Sequence, residues 1–153
     1  MTLLSPHAFE QRLAQLETRL DHLGITTINL SGRKHRTIRA VAVAPGVAGL
    51  PEVARFAYEE CFRRLSDGSL LRVKYAYNYF DLAVRAWRGY HLHEIRPGAG
   101  PVPHAKCVVE GGAGDPLAHY FAYEVDLWAA HDEFERQYAS GQAIDCRGLS
   151  LRG

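Results

Sequence analysis

The hydrophobic positions change period along the chain. Phe9, Leu13, Leu16, Leu20 and Leu23 recur at the three-and-four spacing of one helical face. Ser5 is a good capping residue, Pro6 suits the first helical position, and Gly24 ends the run, so residues 5–24 predict a helix. From residue 25 the period drops to two. Residues 25–30 and 37–43 alternate and are rich in β-branched side chains, with polar residues 31–36 between them, which predicts two strands joined by a turn. Residues 45–51, bounded by prolines, read as a loop.

Residues 55–80 carry the clearest local signal. Asp67-Gly68, flanked by Ser66 and Ser69, is the two-residue loop of a type I′ hairpin. Folding about it sets Phe62 opposite Val73, Glu60 opposite Tyr75, Tyr58 opposite Tyr77 and Phe56 opposite Tyr79, largely on one apolar face. Arg63 opposite Arg72 and Glu59 opposite Ala76 fall on the other. A helix over 51–65 is the rival, since Val53, Phe56, Ala57, Cys61 and Leu65 also fit helical spacing. Further on, residues 82–93 alternate as a strand, 96–103 form a loop, 104–110 form a strand, and 119–125 form another after a turn at 111–116. Residues 126–140 place Leu127, Ala130, Phe134 and Tyr138 on one helical side, and Gly141 stops them. Together these predict one α+β domain over 1–153: a mostly antiparallel sheet with an N-terminal and a C-terminal helix packed on one face.

Strand parity then gathers charge. In a strand, positions i and i+2 share a face. With the apolar sets beneath the helices, the opposite face collects Arg63, Arg72, Lys74, Asn78, Arg85, His91, His93, His104 and Lys106, with Trp87 beside them. Like charges on adjacent strands repel, so such a face suits an anion, and a phosphate backbone is the commonest one. The row Tyr75, Tyr77, Tyr79 reads as core, and Arg33, Lys34, His35 and Arg36 as a charged loop able to touch RNA.

Composition looks neutral until it is divided. The 153 residues hold 18 Lys+Arg against 17 Asp+Glu, a net +1 that excludes a polybasic tail or an acidic disordered segment. Residues 1–110 hold 15 basic and 10 acidic side chains, residues 111–153 hold 3 and 7. The basic part coincides with the polar face. The acidic stretch from Glu124 to Glu135 then reads as a counterweight that keeps the protein soluble or covers that face. Three cysteines in no even framework, no signal peptide, and no run near the roughly 18 apolar residues of a span argue for a cytoplasmic protein without a membrane partner.

The chemistry these residues suggest is RNA cleavage without metal or other cofactor. One imidazole takes the 2′-hydroxyl proton, a second group protonates the leaving 5′-oxygen, and cations stabilise the phosphorane. Trp87 is placed to stack a base. A metal site from His91, His93, His104 and Cys107 is the alternative, against which Cys107 has the opposite parity from His104. No glycine-rich segment has the strand–helix setting of a phosphate loop.

Residues 58–107 resemble the TumE-like toxins, ribonuclease-type toxins paired with an antitoxin. The resemblance rests on a hairpin ending Lys74-Tyr-Ala-Tyr-Asn-Tyr79, on a segment matching at Arg85 and His91, and on Pro103-His104-Ala-Lys106-Cys107. The family's Asp-Asn-Ala-Pro is replaced here by Trp87-Arg-Gly-Tyr90, and two of its histidines by Ala105 and Cys107. The resemblance implies a small RNA-directed toxin with a cognate antitoxin, and a homodimer is compatible with it. His91, His104, Lys106 and Arg85 would then be catalytic, while Arg63, Arg72, Lys74, Asn78, Trp87, His93, Arg33, Lys34 and Arg36 would bind RNA. A non-catalytic nucleic-acid-binding module and a protein-interaction subunit are the competing expectations.

Overall fold

The computed structural model describes residues 1–44, 53–109, 123–144 and 146, and the backbone alone of 115–120. A two-residue strand, β1 (Leu3–Leu4), precedes helix α1 (Pro6–Asp21). Ser5 caps that helix by accepting from the Ala8 amide at 3.1 Å. Seven strands follow: β2 (Ile25–Ser31), β3 (His35–Ala44), β4 (Ala54–Arg64), β5 (Leu70–Asp81), β6 (Ala86–Glu94), β7 (Pro101–Val109) and β8 (Asp115–Tyr120). They lie side by side in chain order, every neighbour antiparallel, and β1 pairs with the start of β5. Helix α2 (Leu127–Ala139) closes the described chain, capped by Asp126. The α+β class and the two helices agree with the sequence reading. The rival helix over 51–65 does not form, because β4 occupies Ala54–Arg64. The loop expected at 45–51 lies outside the described residues, as do residues 111–114 of the expected turn.

Both helices cover one face of the sheet. Phe9 of α1 meets Phe62 of β4 edge-on at 5.3 Å. Phe134 of α2 stacks on Tyr58, Tyr79 and Tyr90, with ring centres 5.9–6.3 Å away, joining β4, β5 and β6. The tyrosine row is therefore core, as its pairing partners suggested. The acidic residues of α2 stay on this side. Asp132 pairs with Arg19, Glu135 with His22 and Glu133 with Arg88. They do not cover the opposite face, because α2 presents them to α1 and to β6.

The hairpin of β4 and β5 departs from its predicted form in a consequential way. Its loop has three residues, not two. The Leu65 amide bonds to the Ser69 carbonyl at 2.8 Å and the Gly68 amide to the Leu65 carbonyl at 3.0 Å, with Gly68 at φ 86°. That left-handed residue after a tight turn needs glycine. The odd loop length shifts the register by one residue, so Phe62 faces Arg72 and Arg63 faces Leu71. A bulge at Val73 then restores it, and Glu60–Tyr75, Tyr58–Tyr77 and Phe56–Tyr79 pair as expected. The predicted pairs Phe62–Val73 and Arg63–Arg72 do not occur.

This shift turns Arg72 into the core. It is 3% exposed, beside Glu60 at 2% and Arg12 at 7%. Arg12 grips the Glu60 carboxylate with two bonds of 2.6 Å, Arg72 reaches it at 3.3 Å, and the Tyr77 hydroxyl donates to it as well. Arg72 also contacts Glu124 at 3.4 Å and the Val125 carbonyl at 3.3 Å. An Arg placed for substrate by simple alternation is thus a structural cation.

Other boundaries moved. Residues 82–85 form the turn before β6, with Arg85 at φ 49°. β7 starts three residues before the predicted 104, and β8 spans Asp115–Tyr120 rather than 119–125. Cys107 and Cys146 are joined by a disulfide, with Cα atoms 5.7 Å apart, leaving Cys61 free. Disulfides persist under oxidising conditions, so the cysteines no longer argue for a reducing compartment. No helix among the described residues is long and apolar enough to cross a membrane.

Candidate functional site

On the face away from the helices, β5, β6 and β7 form a shallow polar array. His91 and His93 stand two residues apart on β6 and so share a side, and His104 of β7 lies directly across from His91 in the ladder. Ring centres are 5.3 Å apart for His91 and His104, 4.6 Å for His93 and His104, and 5.8 Å for His91 and His93. One ring nitrogen of each lies within 4.8 Å of the others. His104 is 4% exposed, and both other rings approach it nearly at right angles.

Two polar contacts orient the rings. Asn78 Oδ1 lies 2.7 Å from His91 Nε2, and the Val102 carbonyl lies 3.0 Å from His104 Nδ1. Both oxygens can only accept, so each facing nitrogen carries a proton, and in a neutral ring the other nitrogen is the one with the lone pair. Trp87 stacks along His91 with ring centres 6.0 Å apart, and Lys106 Nζ sits 5.9 Å from the Trp87 ring. Gly89, which the sequence reading passed over, leaves room for the Asn78–His91 contact. A Cβ there would fall 2.1 Å from Asn78 Oδ1 and 2.9 Å from His91 Nε2. The same Cβ would lie 3.0 Å from the Tyr77 carbonyl, so Gly89→Ala is expected to push these side chains apart and to press on β5 as well. NMR of the His91 ring should show a changed tautomer or pKa, and an unchanged ring signal would contradict the close fit.

The electrostatics are those of crowded bases. Burial, then the proximity of His104, His93 and Lys106, lowers the His91 pKa to about 4. Burial, His104 and Lys74 lower His93 as well. An unfolded His91 takes up a proton near 6.5, the folded one only near 4. Its stabilising contribution is thus complete above about pH 6.5 and is lost as pH falls toward 4. After allowance for solvent screening, the loss between pH 7.5 and 4.5 is about 2 kcal/mol. Urea unfolding of His91→Asn in EDTA should show a pH dependence smaller by about that amount. An equal dependence in variant and wild type would exclude His91 as its source.

The predicted residues divide clearly. His91, His93, His104, Lys106, Asn78 and Trp87 come together, with Lys74 near His93. Lys74 also pairs with Glu59 at 3.1 Å, and Glu59 with Arg39 at 2.7 Å, so this side of the sheet does hold an acid. Arg72 is in the core. Arg85 is in the turn before β6, about 20 Å of strand from His91. Arg63 is on the polar face but at the far end of β4, paired with Leu71 and His35. Arg33 and Lys34 lie in the exposed β2–β3 turn, three strands from β6. Arg36 turns to the helix side, with its guanidinium 5.9 Å from the Phe9 ring. Cys107 points into the core toward Cys146 and offers the histidines no thiolate. Comparison with protein-family models, with curated proteins and with solved structures gives no match, so the array is interpreted from its own geometry.

Proposed function

We propose that the polar face binds RNA and cleaves it by proton transfer, as a ribonuclease of the toxin type. The observation that carries this reading is the convergence of three imidazoles with two lysines and an indole on a sheet face that neither described helix covers. His91 uses its free ring nitrogen to take the 2′-hydroxyl proton, which generates the nucleophile for the adjacent phosphorus. Burial and the neighbouring charges lower the pKa of both His91 and His93. The least buried ring, His93, delivers a proton to the leaving 5′-oxygen, and His104 beneath it positions both. Lys106 and Lys74 stabilise the charge that grows on the phosphorane. Trp87 stacks a base. In the toxin-type reading the partner is an antitoxin protein, whose binding would block this face.

The test is cleavage of single-stranded RNA in EDTA. His91→Ala, His93→Ala and His91→Ala/His104→Ala should each cut about 100- to 10,000-fold more slowly than wild type. Wild type cutting no faster than the double variant would end the proposal. Salt-sensitive RNA binding without turnover would replace it with a non-catalytic binding module.

A further inference from the structure

The same sheet face supports an inference that needs no RNA. We infer that His91, His93 and His104 bind one divalent transition-metal ion of the zinc class, leaving a fourth coordination position open. Three imidazoles with an open position are a recurrent ligand set for catalytic zinc. The donors here come from two paired strands inside the sheet rather than from loops, which fixes them relative to one another.

Two features of the site fit this assignment. First, the ring nitrogens already lie within 4.8 Å of one another. Tetrahedral zinc with bonds of about 2.0–2.1 Å needs donors about 3.4 Å apart. The difference, about 1.4 Å at most, is small against the arc that a histidine ring sweeps between rotamers. Second, His91 and His104 each have one nitrogen engaged by an outer acceptor, Asn78 Oδ1 and the Val102 carbonyl. Metal-bound histidines are usually held this way, with the second ring nitrogen donating to a carbonyl or carboxylate. The thiolate considered at the sequence level is absent from this set, because Cys107 is consumed on the opposite face.

Three neutral ligands leave the ion its full double charge. Lys74 on β5 and Lys106 on β7 add to it, so the open position favours an anionic ligand such as hydroxide or a phosphate-ester oxygen. The binding itself rests on geometry alone. Its consequence for catalysis rests on the proposed function: the lone pairs that would hold the metal are those that would move protons, so bound zinc would silence metal-free cleavage.

Cobalt(II) titration of EDTA-treated protein tests the assignment directly. Wild type should bind one ion per chain, with the visible bands of four- or five-coordinate cobalt, and zinc should abolish those bands. His93→Ala and His104→Ala should weaken binding by more than the 10- to 100-fold typical of losing an outer-shell partner, and Asn78→Ala by about that range. Far-UV circular dichroism identifies any variant that fails to fold, and His93→Ala, at the most open ring, serves as the least disruptive one. Absence of bound cobalt in wild type, or the same spectrum in a folded His93→Ala protein, would overturn the inference. Neither readout uses RNA. Cobalt binding without cleavage in EDTA removes only the proposed function, and cleavage without cobalt binding removes only the metal site.

Discussion

Glu60→Gln should destabilise the fold by about 3–5 kcal/mol, because it removes the one carboxylate that both buried guanidiniums share. Glu60 is 2% exposed and accepts from Arg12, Arg72 and Tyr77. The amide fills nearly the same volume, so packing is preserved and the cost is electrostatic. Arg12 would keep its charge with at most one amide oxygen in place of the carboxylate, since burial and Glu60 together set its environment. Arg72 would retain Glu124, the Val125 carbonyl and the Tyr77 hydroxyl, but would lose the carboxylate nearest its buried charge. Urea denaturation reads the loss, and a change below about 1 kcal/mol would mean that water reaches the cluster. The companion variant Arg12→Met/Glu60→Leu/Arg72→Met/Tyr77→Phe should lie much closer to wild type. Replacing a whole buried ion cluster by apolar groups is often neutral or stabilising, whereas breaking it is not.

Reduction of the Cys107–Cys146 disulfide should have an effect of similar size. The bridge closes a loop of sequence separation 39. The chain-entropy relation gives about 4 kcal/mol for a loop of that length, with observed values for native disulfides of about 2–5 kcal/mol. Cys107 is 1% exposed and Cys146 5% exposed, so the bridge also pins the segment after α2 against β7. Thermal unfolding of Cys107→Ser/Cys146→Ser, or of wild type in reductant, should show a lower midpoint. Titration of the unreduced, denatured protein should find one thiol, that of Cys61. Three thiols, with a midpoint unmoved by reductant, would show that the bridge does not form.

The elements were legible where one physical signal dominated. The α1 stripe, with its serine and proline start, needed no partner to be recognised. The strands announced themselves by alternation, and the tyrosine row by the aromatic partners that its own hairpin supplied. The site was half legible. Parity along β6 and β7 correctly put His91, His93, His104, Lys106 and Trp87 on one side, because regular strands keep a strict period of two. Parity failed wherever the backbone broke that period. The bulge at Val73 inverted Arg72, and the turn at residues 82–85 removed Arg85 from the sheet. Neither break carries a strong local signal, since no glycine or proline marks Val73 or Arg85.

By itself the sequence determined the class of the fold, the order of its elements and which side of most strands is apolar, since these follow from local period and turn chemistry. Tertiary structure alone decided the rest. It paired Cys107 with Cys146 across 39 residues, assembled Arg12, Glu60 and Arg72 from three elements, and laid β7 beside β6 in the register that sets His104 against His91. Proximity between residues distant in the chain depends on register and on bulges, and a single inserted residue exchanges the two faces of a strand.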